Sequence, residues 1–158
     1  MNAAARAAAR WLSSTSNRTF FLWPIVIVAA EAALQQGPPR IQLWALPVLA
    51  WGYLQYRLVG NYRLREGGGG PGISVPPERL VTGGPYRYCR NPMYLGHLIF
   101  LAGIAFALDS WLAAVVFVFH AAWFDRRVRD DEARLSALFG DRYRGYLARV
   151  KRWIPGLL

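Results

Sequence analysis

Cysteine, acidic residues and long apolar runs are all scarce in this chain of 158 residues. Cys89 is the only cysteine, which excludes an intramolecular disulfide framework and a zinc site built from several cysteines. The chain has 9 acidic against 19 basic residues, so its formal net charge is +10. Charged residues make up 18% of the sequence, below the roughly 25% usual for soluble domains, and this composition does not fit intrinsic disorder.

The strong positive charge is combined with a positive mean hydropathy of +0.16. The length suits a single domain. A nucleic-acid-binding protein would account for the charge, with arginines beside stacking aromatic residues, but not for the apolar sequence. Here the aromatic residues lie inside the apolar runs, so we expect no nucleic-acid partner. A membrane protein accounts for both properties.

Four apolar runs, each shorter than the ~20 residues of a typical transmembrane helix, carry most of the apolar sequence. They are Phe20–Leu34, Ile41–Tyr56, Leu95–Leu108 and Trp111–Phe124. The last two runs lie within the almost unbroken apolar stretch Met93–Phe124. As one helix this stretch would be ~48 Å long, which is too long for a bilayer core. A fold at Asp109 and Ser110 would instead produce a hairpin of two short spans.

The basic residues alternate along the chain. Before, between and after the four runs they number 3, 1, 6, 0 and 9. The positive-inside rule produces this pattern when four spans leave both termini in the cytoplasm. We therefore predict an all-α, polytopic integral membrane protein with about four transmembrane helices, in contact with membrane lipids, and with any active site on the cytoplasmic side.

This topology divides a single membrane domain, residues 1–158, into four parts. Residues 1–65 hold an N-terminal helix and the first two spans, and residues 66–92 form a cytoplasmic loop. Residues 93–124 form the helical hairpin. In residues 125–158, apolar residues recur at three- and four-residue steps, which predicts a cytoplasmic amphipathic helix.

The third run carries small residues on one helix face, at Gly96, Gly103 and Ala107, which predicts close packing against another helix. His97 and His120 are the only histidines. No third ligand at zinc-like spacing accompanies them, so we expect no metal site, and we expect each to be hydrogen-bonded within the bundle. Pro24 and Pro47 fall inside the first two runs and predict kinks.

The cytoplasmic loop contains four consecutive glycines at positions 67–70, but no GK[ST] follows, so a flexible linker is expected instead of a phosphate loop. Further on, Asn91-Pro92 marks a turn that opens the third span. Tyr86, Arg90 and Tyr94 then lie at the cytoplasmic end of the bundle. Taken alone, they fit either interfacial anchors or a binding site.

In the tail, Arg127, Asp131 and Leu135 follow one another at four-residue steps and share a helix face. This face is apolar, so Asp131 points towards the protein and needs a cationic or hydrogen-bonding partner. Two interpretations stay open: a structural pair with Arg127, or a bound ligand that carries hydroxyl or ammonium groups. Glu132 lies beside this pair.

Two stretches together resemble a known superfamily. TGGPYRYCRNPMYLG is followed by the two short spans and then by DDEARLSALFGDRYRGYLARVKRWIP. The order and the gaps resemble the isoprenylcysteine carboxyl methyltransferase and phospholipid methyltransferase superfamily, over about residues 77–158. Its pattern is a G-P-Y turn, R-[HN]-P-x-Y-x-G, a helical hairpin, an acidic pair, F-G-x-x-Y-x-x-Y and a final proline.

The resemblance implies a membrane enzyme that uses S-adenosylmethionine to methylate a lipophilic substrate, which enters from the bilayer. It assigns catalytic roles to Arg127, which would face the acceptor group, and to Asn91. It implies cofactor contacts from Glu78, Arg79, Leu80, Val81, Tyr86, Arg90, Asn91, Pro92, Met93, Tyr94, Asp131 and Glu132.

Two positions depart from the superfamily pattern. Asn91 stands where well-known members have histidine, so a proton-transfer role there is in doubt, although an amide can still bind a cofactor. Asp131 stands where the acidic pair usually begins with glutamate. Its side chain is one methylene shorter, which would leave part of the contact to Glu132.

The acceptor is left open by the motifs. An isoprenylcysteine carboxylate is favoured, and a phospholipid amine or a small thiol is also chemically possible. Two alternatives of other classes are an NADPH-binding protein similar to sterol reductases, which usually have many more spans, and a non-catalytic membrane scaffold.

Overall fold

A computed structural model describes residues 2–70 and 75–154. Pro71 and Gly72 of the glycine-rich segment and the final Pro155 of the superfamily pattern lie outside the described residues. The prediction of an all-α protein is confirmed, because the described part of the chain contains helices and turns and no strand. The α-helices are α1 (Ala3–Ser13), α2 (Thr15–Asn17), α3 (Trp23–Leu34), α4 (Leu46–Gly67), α5 (Pro92–Leu108), α6 (Trp111–Phe139) and α7 (Asp141–Arg149).

A π-helical segment, Arg18–Leu22, joins α2 to α3. The combined helix Thr15–Leu34 is the one helix among the described residues that is long and apolar enough to cross a membrane. Pro24 is the second residue of α3 and lies inside this combined helix, so the change from π-helical to α-helical bonding occurs next to the proline that lacks an N–H. Pro47 lies in the first turn of α4, so the kink predicted there is wrong.

Helices α4 and α5 pack backbone against backbone at their glycines. A Cβ atom on Gly52 would lie 2.3 Å from the Phe100 nitrogen, and one on Gly96 would lie 2.9 Å from the Gly52 oxygen. A Cβ atom on Gly103 would lie 2.8 Å from Leu49 Cα. The predicted role of the small residues in close helix packing is therefore confirmed, and Gly52 is the partner that the sequence did not identify.

The predicted hairpin turn occurs where it was expected. Asp109 ends α5 in a left-handed conformation with φ of 46°, and the Ser110 hydroxyl accepts a 3.0 Å hydrogen bond from the Ala113 N–H as the cap of α6. The same hydroxyl donates to the carboxylate of Glu31, which is 8% exposed. The hairpin turn is thus fastened to the end of α3.

Helix α6 continues without interruption through the position where the tail helix was expected to begin, and it ends at Phe139. Gly140 has φ of 56°, which favours glycine, and α7 starts at the next residue. Tyr143 and Tyr146 are the buried residues of α7. Both histidines are hydrogen-bonded within the bundle, as predicted: the Nδ1–H of His97 donates to Met93 O at 2.9 Å, and that of His120 donates to Val116 O at 2.8 Å.

Many large apolar side chains are exposed on the outer faces of α3, α5 and α6. Trp111 is 87% exposed, Ile25 is 66% exposed and Phe106 is 52% exposed. The buried core lies between the helices and includes Ile27, Leu101 and Ile104. An apolar surface of this extent is typical of a protein that contacts lipid or another apolar partner.

Candidate active site

A partly open pocket with a cavity volume of about 90 Å³ lies where the ends of α4 and α5 meet α6 and α7. Its apolar wall consists of Val75, Pro76, Pro77, Leu80, Val81, Met93 and Leu135. Its polar groups belong to Arg63, Tyr86, Arg90, Asn91, Tyr94, Asp131, Glu132, Arg134, Tyr143 and Tyr146.

Asp131 is held in the pocket wall by two neighbours. The Tyr94 hydroxyl donates to Asp131 Oδ2 at 2.7 Å, and Arg134 Nη2 donates to Oδ1 at the same distance. Arg127 Nε donates in turn to the Tyr94 hydroxyl at 3.1 Å. The side chain of Asp131 is 18% exposed. Since Tyr94 is shared between Asp131 and Arg127, the two residues that were predicted to share a helix face are linked through a third residue from α5.

Glu132 faces two arginines. Arg90 Nη2 lies 2.9 Å from Oε1, and Arg152 Nη2 lies 2.7 Å from Oε2. The side chains of Glu132 and Arg90 are 12% and 11% exposed, so the pair is largely removed from water. Both carboxylate oxygens of Glu132 are therefore engaged by protein cations, and its side chain is slightly less exposed than that of Asp131, 12% against 18%.

Arg90 and its neighbours also fasten the C-terminal segment. Arg90 Nη1 donates to the carbonyl of Leu147 at 3.0 Å and to that of Val150, and its own N–H donates to Lys151 O at 2.9 Å. The Asn91 amide donates to Arg152 O at 3.2 Å. The carbonyls at the end of α7 are thus satisfied by a guanidinium from the loop before α5.

Cys89 belongs to the same junction. Its thiol donates to Arg152 O at 3.4 Å and accepts from the Asn91 N–H at 3.4 Å. The residue is 4% exposed, and burial raises the pKa of the thiol above its usual value. A buried, protonated thiol of this kind acts as a small packing group.

Three tyrosines close the inner side of the pocket. The Tyr146 hydroxyl donates to Tyr86 O at 2.6 Å, which ties α7 to the turn before α5. Burial raises the pKa of Tyr86 and of Tyr146 well above the usual tyrosine value. Burial, together with the charge of Glu132, raises the pKa of Tyr143 to about 12. At neutral pH all three hydroxyls are neutral and can donate hydrogen bonds.

Most of the predicted cofactor residues meet at this pocket. It is lined by Leu80, Val81, Tyr86, Arg90, Asn91, Met93, Tyr94, Asp131 and Glu132. Four predicted residues do not line it. Glu78 and Arg79 are exposed beside a neighbouring groove, and their N–H groups donate to Gly67 O at 2.9 Å, which ends α4. Pro92 is buried at the start of α5, and Arg127 lies behind Tyr94.

The structure adds residues that the sequence reasoning missed. Tyr143 and Tyr146 belong to the F-G-x-x-Y-x-x-Y motif, so the motif itself was the signal that could have placed them in the site. Arg63 had no such signal. It is 8% exposed on α4, and its guanidinium donates to Val75 O at 2.8 Å and to Gly70 O at 3.0 Å, the last of the four consecutive glycines.

Fold and site together define a protein that is all-helical over its described residues, with apolar outer faces and a pocket of apolar and polar residues at one end of its helices. Within it, residues 71–142 match the family model described as phospholipid methyltransferase. This stretch contains the loop before α5, the helical hairpin and the part of α6 that carries Asp131. The resemblance to the isoprenylcysteine carboxyl methyltransferase superfamily is thereby confirmed.

Individual relatives show the same similarity. The chain is 36% identical over 78 residues to a protein-S-isoprenylcysteine O-methyltransferase of Schizosaccharomyces pombe, which is 48% of this chain and 33% of that protein. It is 32% identical over 80 residues to the Dictyostelium discoideum protein of that name, covering 49% and 33% of the two chains. It is 34% identical over 77 residues to the Mus musculus protein of that name, which is 48% of this chain and 27% of that protein. The match thus spans about a third of the length of these relatives.

Proposed function

We propose that this protein is a membrane methyltransferase that moves a methyl group from S-adenosylmethionine to a lipophilic acceptor, with an isoprenylcysteine carboxylate as the favoured substrate. The observation that carries the proposal is the position of Asp131. It lies in the wall of the pocket between α4, α5, α6 and α7, in a stretch that is similar to isoprenylcysteine methyltransferases.

The chemistry of the lining residues fits the cofactor. S-adenosylmethionine presents an ammonium group, a carboxylate, ribose hydroxyls and an adenine ring. Asp131 offers a carboxylate to an ammonium or hydroxyl group, and Arg134, whose side chain is 45% exposed, offers a guanidinium group to a carboxylate. The apolar wall that includes Val81 and Met93 suits a flat ring.

The protein's contribution is positioning and the exclusion of water. When bound, the cofactor supplies a methyl group on a sulfonium, which is already an activated donor. Tyr94 fixes the orientation of Asp131 through its 2.7 Å bond, while Arg90 and Glu132 hold the C-terminal segment over the pocket. A pocket with fixed side chains favours in-line transfer because the alignment is established before the reaction. No proton-transfer role for Asn91 is needed.

Arg127 is proposed to face the acceptor. It lies on the far side of Tyr94 from the pocket and donates to the Tyr94 hydroxyl at 3.1 Å. A group held by Arg127 would therefore lie next to the cofactor site without occupying it. A guanidinium at this position favours a carboxylate acceptor over an amine, because an ammonium group would be repelled.

We also propose that four segments cross the membrane, namely Thr15–Leu34, the first part of α4, α5 and the first part of α6, with both termini and the pocket on the cytoplasmic side. The alternating count of basic residues supports this topology. The exposed apolar side chains on α3, α5 and α6 support it independently, because they would face lipid. Trp44 and Trp111, 65% and 87% exposed, would lie at the opposite interface.

The proposal is tested by calorimetric titration of the protein, purified in detergent, with S-adenosylmethionine, with its demethylated product and with NADPH. Binding of the first two alone supports the methyltransferase. Binding of NADPH alone would favour the reductase-like alternative, and no binding at all would favour a scaffold.

A pair of neighbouring variants makes the test specific to the site. Asp131→Asn is expected to abolish cofactor binding without unfolding the protein, whereas Asp130→Asn is expected to bind normally because Asp130 is exposed and does not line the pocket. Equal affinities of the two variants would mean that the site is elsewhere. Radiolabelled methyl transfer into prenylcysteine, phospholipid and thiol substrates would then identify the acceptor.

A further inference from the structure

Two arginines lie close to one tryptophan near the pocket. The guanidinium carbon of Arg18 lies 5.6 Å from the centroid of the Trp123 ring, and that of Arg127 lies 5.9 Å from the same centroid. Arg127 comes from α6, while Arg18 is the first residue of the π-helical segment, 109 positions earlier in the chain. All three side chains are half-buried. The fold thus brings two positive charges to one aromatic ring.

The contact with Trp123 leaves the charge of Arg18 available. Within residues 2–70 and 75–154, no carboxylate lies within 4.0 Å of the Arg18 guanidinium, which donates one hydrogen bond to Leu12 O at 3.3 Å. Stacking on an aromatic ring stabilises a cation without neutralising it. Two cations beside one ring, in a partly desolvated position, attract a single anionic group more strongly than either does alone. The guanidinium fork also matches the two oxygens of a carboxylate.

The pair adjoins the proposed reaction site. Arg127 Nε donates to the Tyr94 hydroxyl, and this hydroxyl donates to Asp131 in the pocket wall. An anion held at Trp123 is therefore separated from the cofactor pocket by one side chain. Asp131 and the arginine pair have opposite charges, so they would sort a positively charged cofactor group from a negatively charged acceptor group.

An apolar path leads away from the arginine pair along α6. Val115, Phe119, Trp123 and Arg127 follow at four-residue steps, so their side chains lie next to one another along the helix. Phe119 and Val115 are 62% and 63% exposed. A molecule with an anionic head and an apolar tail would thus find a charged end and an apolar end in the right order.

We propose that Arg18 is an acceptor-binding residue, which holds the carboxylate of the lipophilic acceptor together with Arg127 beside Trp123. This inference rests on the proposed function and deepens it. It assigns a binding role to the N-terminal part of the chain, which lies outside the stretch that matches the family model, residues 71–142.

The experiment compares the binding of N-acetyl-S-farnesylcysteine and of its methyl ester to the protein in phosphatidylcholine nanodiscs. The two ligands share the tail and differ in the negative charge, so their affinity ratio reports on the anion site alone. The wild-type protein is expected to bind the acid about tenfold more tightly than the ester. Arg18→Gln is expected to bring this ratio close to one, and Arg18→Lys, which keeps the charge but loses the planar fork, to preserve part of it.

Arg10→Gln provides the matched control, because Arg10 is an exposed arginine of α1 that contacts neither Trp123 nor the pocket. It should keep the wild-type ratio. Affinity for S-adenosylmethionine should be the same in all variants, which verifies that they are folded. A wild-type protein that binds acid and ester equally, or an Arg18→Gln variant with the wild-type ratio, would overturn the inference. Failure of the wild-type protein to bind S-adenosylmethionine would instead overturn the proposed function. The acid-to-ester ratio would still show whether Arg18 binds a carboxylate.

Discussion

The Tyr94 hydroxyl donates a 2.7 Å hydrogen bond to Asp131 Oδ2, and this bond joins the first turn of α5 to the middle of α6 across the proposed cofactor pocket. Both residues line the pocket. The bond therefore sets the direction in which the carboxylate faces a ligand, and it makes the orientation of Asp131 depend on a residue 37 positions away in the chain.

Removal of the Tyr94 hydroxyl should weaken cofactor binding more than it weakens the fold. In Tyr94→Phe, Asp131 loses one of its two hydrogen-bond donors and is no longer held at the pocket wall. We expect the dissociation constant for S-adenosylmethionine to rise about five- to tenfold, as measured by calorimetry. Tyr88→Phe is the control, because Tyr88 is 61% exposed and should bind normally. An unchanged affinity in Tyr94→Phe would show that Asp131 does not need this bond.

Glu132 is expected to matter for stability. Glu132→Gln leaves the largely buried Arg90 without its counter-charge and leaves Arg152 only Asp125, 3.5 Å away, so we expect the free energy of unfolding to fall by about 3 kcal/mol. Asp141→Asn removes the partner of Arg144 on the surface, where the two side chains are 93% and 61% exposed, and should cost less than about 1 kcal/mol. Denaturant unfolding in detergent measures both. Similar losses would mean that burial of the Glu132 pair does not contribute.

Cys89 provides a clean chemical probe, since it is the only cysteine. Its burial at 4% exposure and its raised pKa predict that the folded protein reacts slowly with maleimide at neutral pH. Because the thiol contacts Arg152 O, loosening of the C-terminal segment in Glu132→Gln should accelerate labelling severalfold. Wild-type protein that labels as fast as denatured protein would contradict the closed arrangement of this segment.

The glycine contacts between α4 and α5 predict opposite effects for two glycine-to-alanine changes. Gly52→Ala places a methyl group 2.3 Å from the Phe100 nitrogen, so the helices must separate, at a cost of about 1–3 kcal/mol. Gly145 lies in α7 with nothing within 4 Å of its Cβ position, and Gly145→Ala should stabilise the protein by about 0.5–1 kcal/mol through helix propensity. Thermal unfolding of the two variants checks both signs. Destabilisation by Gly145→Ala as well would contradict the expected gain from helix propensity at that position.

Asp125 predicts a pH dependence of stability. The indole N–H of Trp153 and the guanidinium of Arg129 lower the pKa of this carboxyl. A lowered folded-state pKa stabilises the protein above the unfolded value, about 3.9, and this contribution is lost as the pH falls through the folded-state pKa. The melting temperature of the wild-type protein should therefore be higher than that of Asp125→Asn at neutral pH, and this difference should vanish in acid. A difference that is constant from pH 7 to pH 3 would rule out this linkage.

The hairpin turn and the break at Gly140 were readable from the sequence, whereas α4 continues to Gly67, beyond the end of the second apolar run at Tyr56. Asp109-Ser110 and Gly140 interrupt the apolar and amphipathic patterns, and the chain breaks there because a left-handed residue or a capping hydroxyl ends a helix locally. The start of the tail helix could not be located in this way. The apolar pattern changes character at Asp125, but no residue there ends a helix, so α6 continues.

The sequence predicted the members of the candidate site that belong to motifs, but not the contacts between separate segments. The motif residues on α5 and α6 identified Tyr94 and Asp131 as members of one site. The engagement of Glu132 by Arg90 and Arg152 was not predictable, because side chains from three separate segments meet there and no local pattern records which cation faces which carboxylate. Arg63 was missed for the same reason.

The sequence by itself determined the all-helical character, the turn positions and the similarity of the second half of the chain to a methyltransferase superfamily, since these depend on local periodicity, capping and ordered motifs. Only the tertiary structure decided that Asp131 is oriented by Tyr94, that Glu132 is taken up by two arginines, and that Arg18 stands beside Trp123. These relationships depend on how closely the helices approach. That distance is set by contacts such as Gly52 against Phe100, between residues far apart in the chain.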